Sequence, residues 1–157
     1  MPRCAPPGST TRCCPRRLDL TPLFDLERFV TAQAPVRATV QAELAAGAKR
    51  THWMWFIFPQ LAGLGTSLMS RTYAISGRTE AAAYLAHPQL GPFLLDCTRL
   101  VLAVPDKSAT EIFGPVDAAK FRSCMTLFAN VSEAPEFSAA LQKYFAGNAD
   151  PATLARL

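Results

Sequence analysis

Apolar positions recur along this chain at intervals of three and four, the spacing of helices that bury one face. After Asp25, Leu26, Phe29 and Val30 keep that spacing. Val36, Val40 and Leu44 resume it up to Gly47, so two helices are predicted with a break near Pro35. Thr79 is placed to cap a helix over residues 81–85, which His87-Pro88 interrupts. The next helix shows Leu90, Phe93, Leu94, Cys97, Leu100 and Val101 on one face and is limited by Pro105. Ser108 and Glu111 have capping-box spacing and start a short helix that Gly114 stops. Pro115 opens a longer helix with the stripe Ala118, Phe121, Met125 and Phe128. Ser132 precedes a last helix carrying Phe137, Leu141, Tyr144 and Phe145 and ended by Gly147. Strand alternation is scarce and no fixed-period repeat is visible. The expected fold is all-α, a compact multihelical bundle of about seven helices.

One segment breaks the pattern. Residues 49–60 read Lys-Arg-Thr-His-Trp-Met-Trp-Phe-Ile-Phe-Pro-Gln and are followed by Gly63-Leu64-Gly65, Thr66 and Ser67. The apolar run from Trp53 to Phe58 is too continuous to show a period, and its setting among helices favours a helical turn through the centre of the fold. Trp53, Trp55, Phe56 and Phe58 are expected to be mostly buried.

Composition adds boundaries. The chain of 157 residues is 50% hydrophobic and 18% charged, enough for one core and too short for two. Residues 1–20 differ: Arg3, Arg12, Arg16 and Arg17 face one acid, Asp19, among four prolines, which places about +3 of the total charge there. A disordered basic tail over 1–20 and a single helical domain over 21–157 are expected. With no basic cluster on the folded part, specific nucleic-acid binding is not expected. No apolar run has the length of a membrane span or the form of a secretory signal, so a cytoplasmic protein without a membrane partner is expected.

The candidate chemistry is sparse. Cys4, Cys13 and Cys14 fall in the tail, Cys97 and Cys124 fall in apolar stripes, and His52 and His87 are far apart, so no metal site and no cofactor are expected. No nucleophile-elbow motif occurs. Gly63 and Gly65 match no full phosphate-loop fingerprint and read as a turn. Lys49, His52 and Gln60 place polar groups beside the bulkiest aromatics, as ligand pockets do, and His52 has the chemistry of an acid or base near neutral pH. The candidate ligand-binding set is Lys49, His52, Trp53, Trp55, Gln60, Ser67 and Lys120, and His52 is the one catalytic candidate. Lys120 and Arg122 are suited to an anionic group. Two functions follow from this set. The first is a domain that binds a small polar or anionic ligand, or a protein partner, along residues 49–67. The alternative is a small hydrolase or transferase acting on a nucleotide-like or ADP-ribosyl substrate. Oligomeric state is not specified by the pattern.

Residues 49–60 with Gly63-Leu64-Gly65 resemble the hallmark of a bacterial domain-of-unknown-function family, the one numbered eighteen-ten, whose members are often mislabelled calpastatin. The similarity continues through His87-Pro88, Leu90-Gly91, Ile112-Phe113-Gly114 and residues 117–128, and covers roughly 24–157. The resemblance implies an all-helical fold, known for a mycobacterial member, and no established activity.

Overall fold

The computed structural model describes residues 24–157, so the expected tail over 1–20 lies outside the described residues. Ten helices follow in order among them: α1 Glu27–Gln33, α2 Arg37–Ala45, α3 Met54–Ile57, α4 Leu68–Thr72, α5 Arg78–Ala86, α6 Leu90–Leu102, α7 Ala109–Phe113, α8 Pro115–Ala129, α9 Pro135–Phe145 and α10 Pro151–Arg156. The described residues form no strand beyond one isolated parallel bridge between Leu61 and Ile75. The all-helical expectation holds, but the count of about seven was low. The seven predicted from periodicity correspond to α1, α2 and α5–α9, α3 is the helical turn expected between Trp53 and Phe58, and the additions are the short α4 and α10. Helix α4 buries none of its residues, so it carries no stripe to read. Helix α10 buries only Thr153.

Local signals explain most boundaries. Ser108 and Glu111 form the predicted capping box, each side chain accepting from the other residue's backbone N–H. His87 closes the α5–α6 junction, its Nδ1 accepting from the N–H groups of Gln89 and Leu90 at 3.2 and 3.3 Å. Thr79 does not cap α5. That helix begins one residue earlier, at Arg78, behind Gly77. The junction also depends on Gly91, where a Cβ would lie 2.0 Å from the Leu85 carbonyl oxygen. Only glycine lets the start of α6 lie this close to the end of α5.

Helices α8 and α6 form the centre: α8 packs on α7, α9 and α10, and α6 packs on α2, α5 and α9. Phe121 and Phe128 of α8 are fully buried. Phe121 meets Phe58 edge-on at 5.1 Å and stacks with Phe113 at 4.9 Å, so the segment after α3 enters the middle of the core. Buried polar groups are paired. The Gln33 amide donates to the Phe56 carbonyl at 2.8 Å and to the Tyr84 hydroxyl at 3.0 Å, joining α1, α3 and α5. Arg28 donates to Glu80 at 2.8 Å and to the carbonyls of Thr72 and Ala74, holding the chain before α5 onto α1. Lys143 of α9 donates to the Leu102 and Val104 carbonyls, where the α6 backbone lacks helical partners.

Candidate functional site

The chain between α2 and α3 is fixed by one carboxylate. Glu43 projects from the last turns of α2 and accepts from the N–H groups of Arg50 and Thr51 at 2.9 and 3.2 Å, from the Thr51 hydroxyl at 2.7 Å, and from the Trp53 indole at 2.8 Å. Burial alone would raise its pKa, but these four bonds outweigh burial and lower it to about 2. Glu43 therefore stays ionised and sets where residues 50–53 point.

Trp53 is buried, as expected, and so are Phe56 and Phe58. Trp55, also expected to be mostly buried, is only half-buried. Trp53 precedes α3 as its N-cap and is held inward by the Glu43 bond to its indole, whereas Trp55 is the one residue inside α3 that is not buried. Each tryptophan carries a lysine. The Lys49 ammonium lies 5.2 Å from the Trp53 ring centroid, and the Lys120 ammonium lies 5.2 Å from that of Trp55. Between them stands Asp117, whose Oδ2 meets Lys49 at 2.8 Å and whose Oδ1 meets Lys120 at 3.2 Å. Burial opposes ionisation of Asp117, but the two lysines hold it below the usual carboxylate range. Lys49 has a side chain only 7% exposed, and it donates its backbone N–H to the Ile112 carbonyl at 2.8 Å. The arrangement joins α3, α7 and α8 and leaves two cations on one anion.

Beside this cluster is an open cleft of about 540 Å³. Gln60, Leu64 and Gly65 form one side of it, Val116, Ala119 and Lys120 of α8 the other, and Ala152 of α10 and Phe145 of α9 contribute to the walls. Gly63 has a positive φ of 90°, and Gly65 lies where a Cβ would stand 2.5 Å from Ser70, so the two glycines serve a tight turn. Arg122 reaches the cleft with two of its guanidinium nitrogens donating to the Asn148 and Ala149 carbonyls at 2.8 and 2.9 Å. Asp150 accepts from Ser123, from the Thr153 hydroxyl and from the Thr153 N–H that starts α10.

The predicted residues thus separate. Lys49, Trp53, Trp55 and Lys120 converge around Asp117, and Gln60 joins Lys120 at the cleft. His52 is exposed and does not line that cleft. Ser67 is exposed and caps α4, accepting from the Ser70 N–H at 3.1 Å. Sequence reasoning missed Asp117, although its spacing of three from Lys120 on one helix was a usable signal. It also missed the bonding role of Glu43. Among the described residues, no group of three His, Cys, Asp or Glu side chains is placed to hold a metal ion. No described helix is long and apolar enough to cross a membrane.

The fold and this cluster define a small all-helical protein with a lysine-rich aromatic corner opening on a shallow cleft. The family model of proteins of unknown function called DUF1810 matches residues 23–157, and the chain belongs to that family. Among solved structures it is similar to a conserved hypothetical protein from Mycobacterium tuberculosis, with 54% identity over 86% of this chain and 97% of that one, at a TM-score of 0.85. No curated protein matches it significantly.

Proposed function

We propose that this protein binds a small anionic metabolite in the cleft between the turn at residues 60–65 and α8. The observation that carries the reading is the two-to-one pairing of Lys49 and Lys120 with Asp117. The buried Lys49 needs Asp117, because an ammonium out of water without a partner is costly. Lys120, with its side chain 20% exposed and its head over Trp55, is then left with a surplus charge facing the cleft. A surplus ammonium backed by an aromatic face and apolar walls is what recognition of a small anion requires. The hydrolase or transferase alternative needs His52 to meet the substrate, and its exposure away from the cleft favours the binding reading.

The test is a panel of anionic metabolites, including carboxylic acids, nucleotides and ADP-ribose, scored by thermal shift and then by calorimetry against wild type, Lys120→Ala and His52→Ala. Lys120→Ala should weaken the hit by about tenfold or more, a loss of about 1.4 kcal/mol, and leave the fold intact because its ion pair is partly solvated. His52→Ala should bind as wild type does. Binding that survives Lys120→Ala, or that disappears with His52→Ala, overturns the proposal.

A further inference from the structure

We infer that the cleft takes an organic monocarboxylate with a compact apolar body in preference to a phosphorylated metabolite, an inference that rests on the binding function proposed above. The charges around the cleft fit one negative charge and disfavour two. Lys120 offers one surplus cation. Arg122, the group best shaped for a phosphate, already engages the Asn148 and Ala149 carbonyls through its Nε–Nη2 edge, which leaves only its Nη1 end to a ligand, and its charge is set against Asp150 in the same lining. Asp150 lines the same cleft, and its carboxylate accepts from Ser123 and Thr153, so this acid offsets Arg122 and leaves one net cation for an occupant. The start of α8 gives no compensation. Pro115 at its first position has no N–H, and the Asp117 carboxylate already occupies its first turn.

The donors and walls fit a carboxylate. The Gln60 side-chain amide makes no hydrogen bond among the described residues and lines the cleft with Lys120, giving one neutral and one charged donor. The remaining surface is apolar and small. Val116 leaves 68% of its surface in water at the first turn of a helix whose later residues form the core. Leu64, Ala119 and Ala152 continue that surface across the cleft. A hydrocarbon body lying on Val116 would remove apolar area from water on both partners, which a compact phosphate alone would not do.

The experiment compares three probes with one ring and different head groups: benzoate, phenyl phosphate and neutral benzamide. Each is titrated to about 50 mM at pH 7.5 into the isotope-labelled full chain, with backbone amide shifts as the readout. Phenyl phosphate is largely a dianion there. Benzoate should shift the amides of Leu64, Gly65, Val116 and Ala119 saturably, and the other two probes should bind at least about tenfold more weakly. Gln60→Leu and Val116→Asn, at a partly exposed and an exposed position, should each weaken benzoate by about threefold or more without changing the melting temperature appreciably. Phenyl phosphate binding at these amides as tightly as benzoate overturns the ligand class and leaves the anion-binding cleft standing. If neither anion shifts these amides, both the class and the cleft are wrong. Benzamide equal to benzoate would show an apolar site without charge recognition and would also overturn the inference.

Discussion

Replacing Glu43 by glutamine tests whether one carboxylate organises the chain between α2 and α3. The amide keeps the shape and can still place an oxygen where Arg50, Thr51 and Trp53 donate, with its NH2 toward the Thr51 hydroxyl, which can turn to accept. What it removes is charge. The wild-type group falls from an ordinary 4.5 to about 2, and at 1.36 kcal/mol per pH unit this gap corresponds to about 3 kcal/mol. Water at the edge of the site reduces the effect to about 2 kcal/mol. Because the folded-state pKa lies below the unfolded one, the contribution is fully present above about pH 5. It is lost as pH falls through the interval from 4.5 toward 2. Urea unfolding at pH 7 should show Glu43→Gln less stable by about 2 kcal/mol, and at pH 3 most of that difference should be gone. Glu43→Ala should lose more at pH 7, because the buried Trp53 indole N–H is then left without an acceptor. The reasoning fails if wild type and Glu43→Gln lose equal stability between pH 7 and pH 3, or if the two are equally stable at pH 7.

Three further outcomes are expected. Gly91→Ala should cost about 3 kcal/mol or more, since its Cβ would meet the Leu85 backbone oxygen at 2.0 Å, whereas Gly77→Ala, with nothing within 4 Å, should change the melting temperature little; comparable losses would refute the close-approach reading. Trp53→Ala should cost about 3–5 kcal/mol and Trp55→Ala about 1–2 kcal/mol, because one ring is 1% exposed and the other half-buried, and a denaturant series that reverses the order would contradict the assignment. Burial pushes the Cys97 thiol up to about 12 and the Cys124 thiol well above its ordinary value, so both should resist alkylation in the native protein at pH 8 and react once it is unfolded. Mass-mapped labelling of either residue without denaturant would show that its helix opens.

What was legible in the sequence follows from what each element buries. The stripes of α6 and α9 are long enough for their period to be read, and Ser108 with Glu111 announced α7 by a local bond that needs no tertiary partner. Helix α10 had its signals, Asp150 as cap and Pro151 in the first turn, but six residues are too few for a stripe. In α3 every residue is apolar, so sequence could not say which tryptophan turns inward; that choice belongs to the Glu43 bond to the Trp53 indole. Lys49 and Lys120 stood together in the candidate ligand-binding set, yet the acid that joins them did not. Asp117 looks like an ordinary first-turn acid until the fold brings Lys49 across from the chain after α2.

The Gln33 amide acts as an index mark for the shortest central helix. Four residues hold a helical turn only weakly by their own hydrogen bonds, and apolar packing specifies a single rotation less sharply than a directional bond does. A directional bond does not slide: the Phe56 carbonyl is met by Gln33, which is itself located by the Tyr84 hydroxyl. A frame error of one residue would rotate α3 by about 100° and carry Trp55 from its half-buried place to one that Met54 or Phe56 now fills in the core. Lys120 would then lose its aromatic backing. The phase of the aromatic wall behind Lys120 is therefore set from the opposite side of α3, by a buried amide that never touches the cleft.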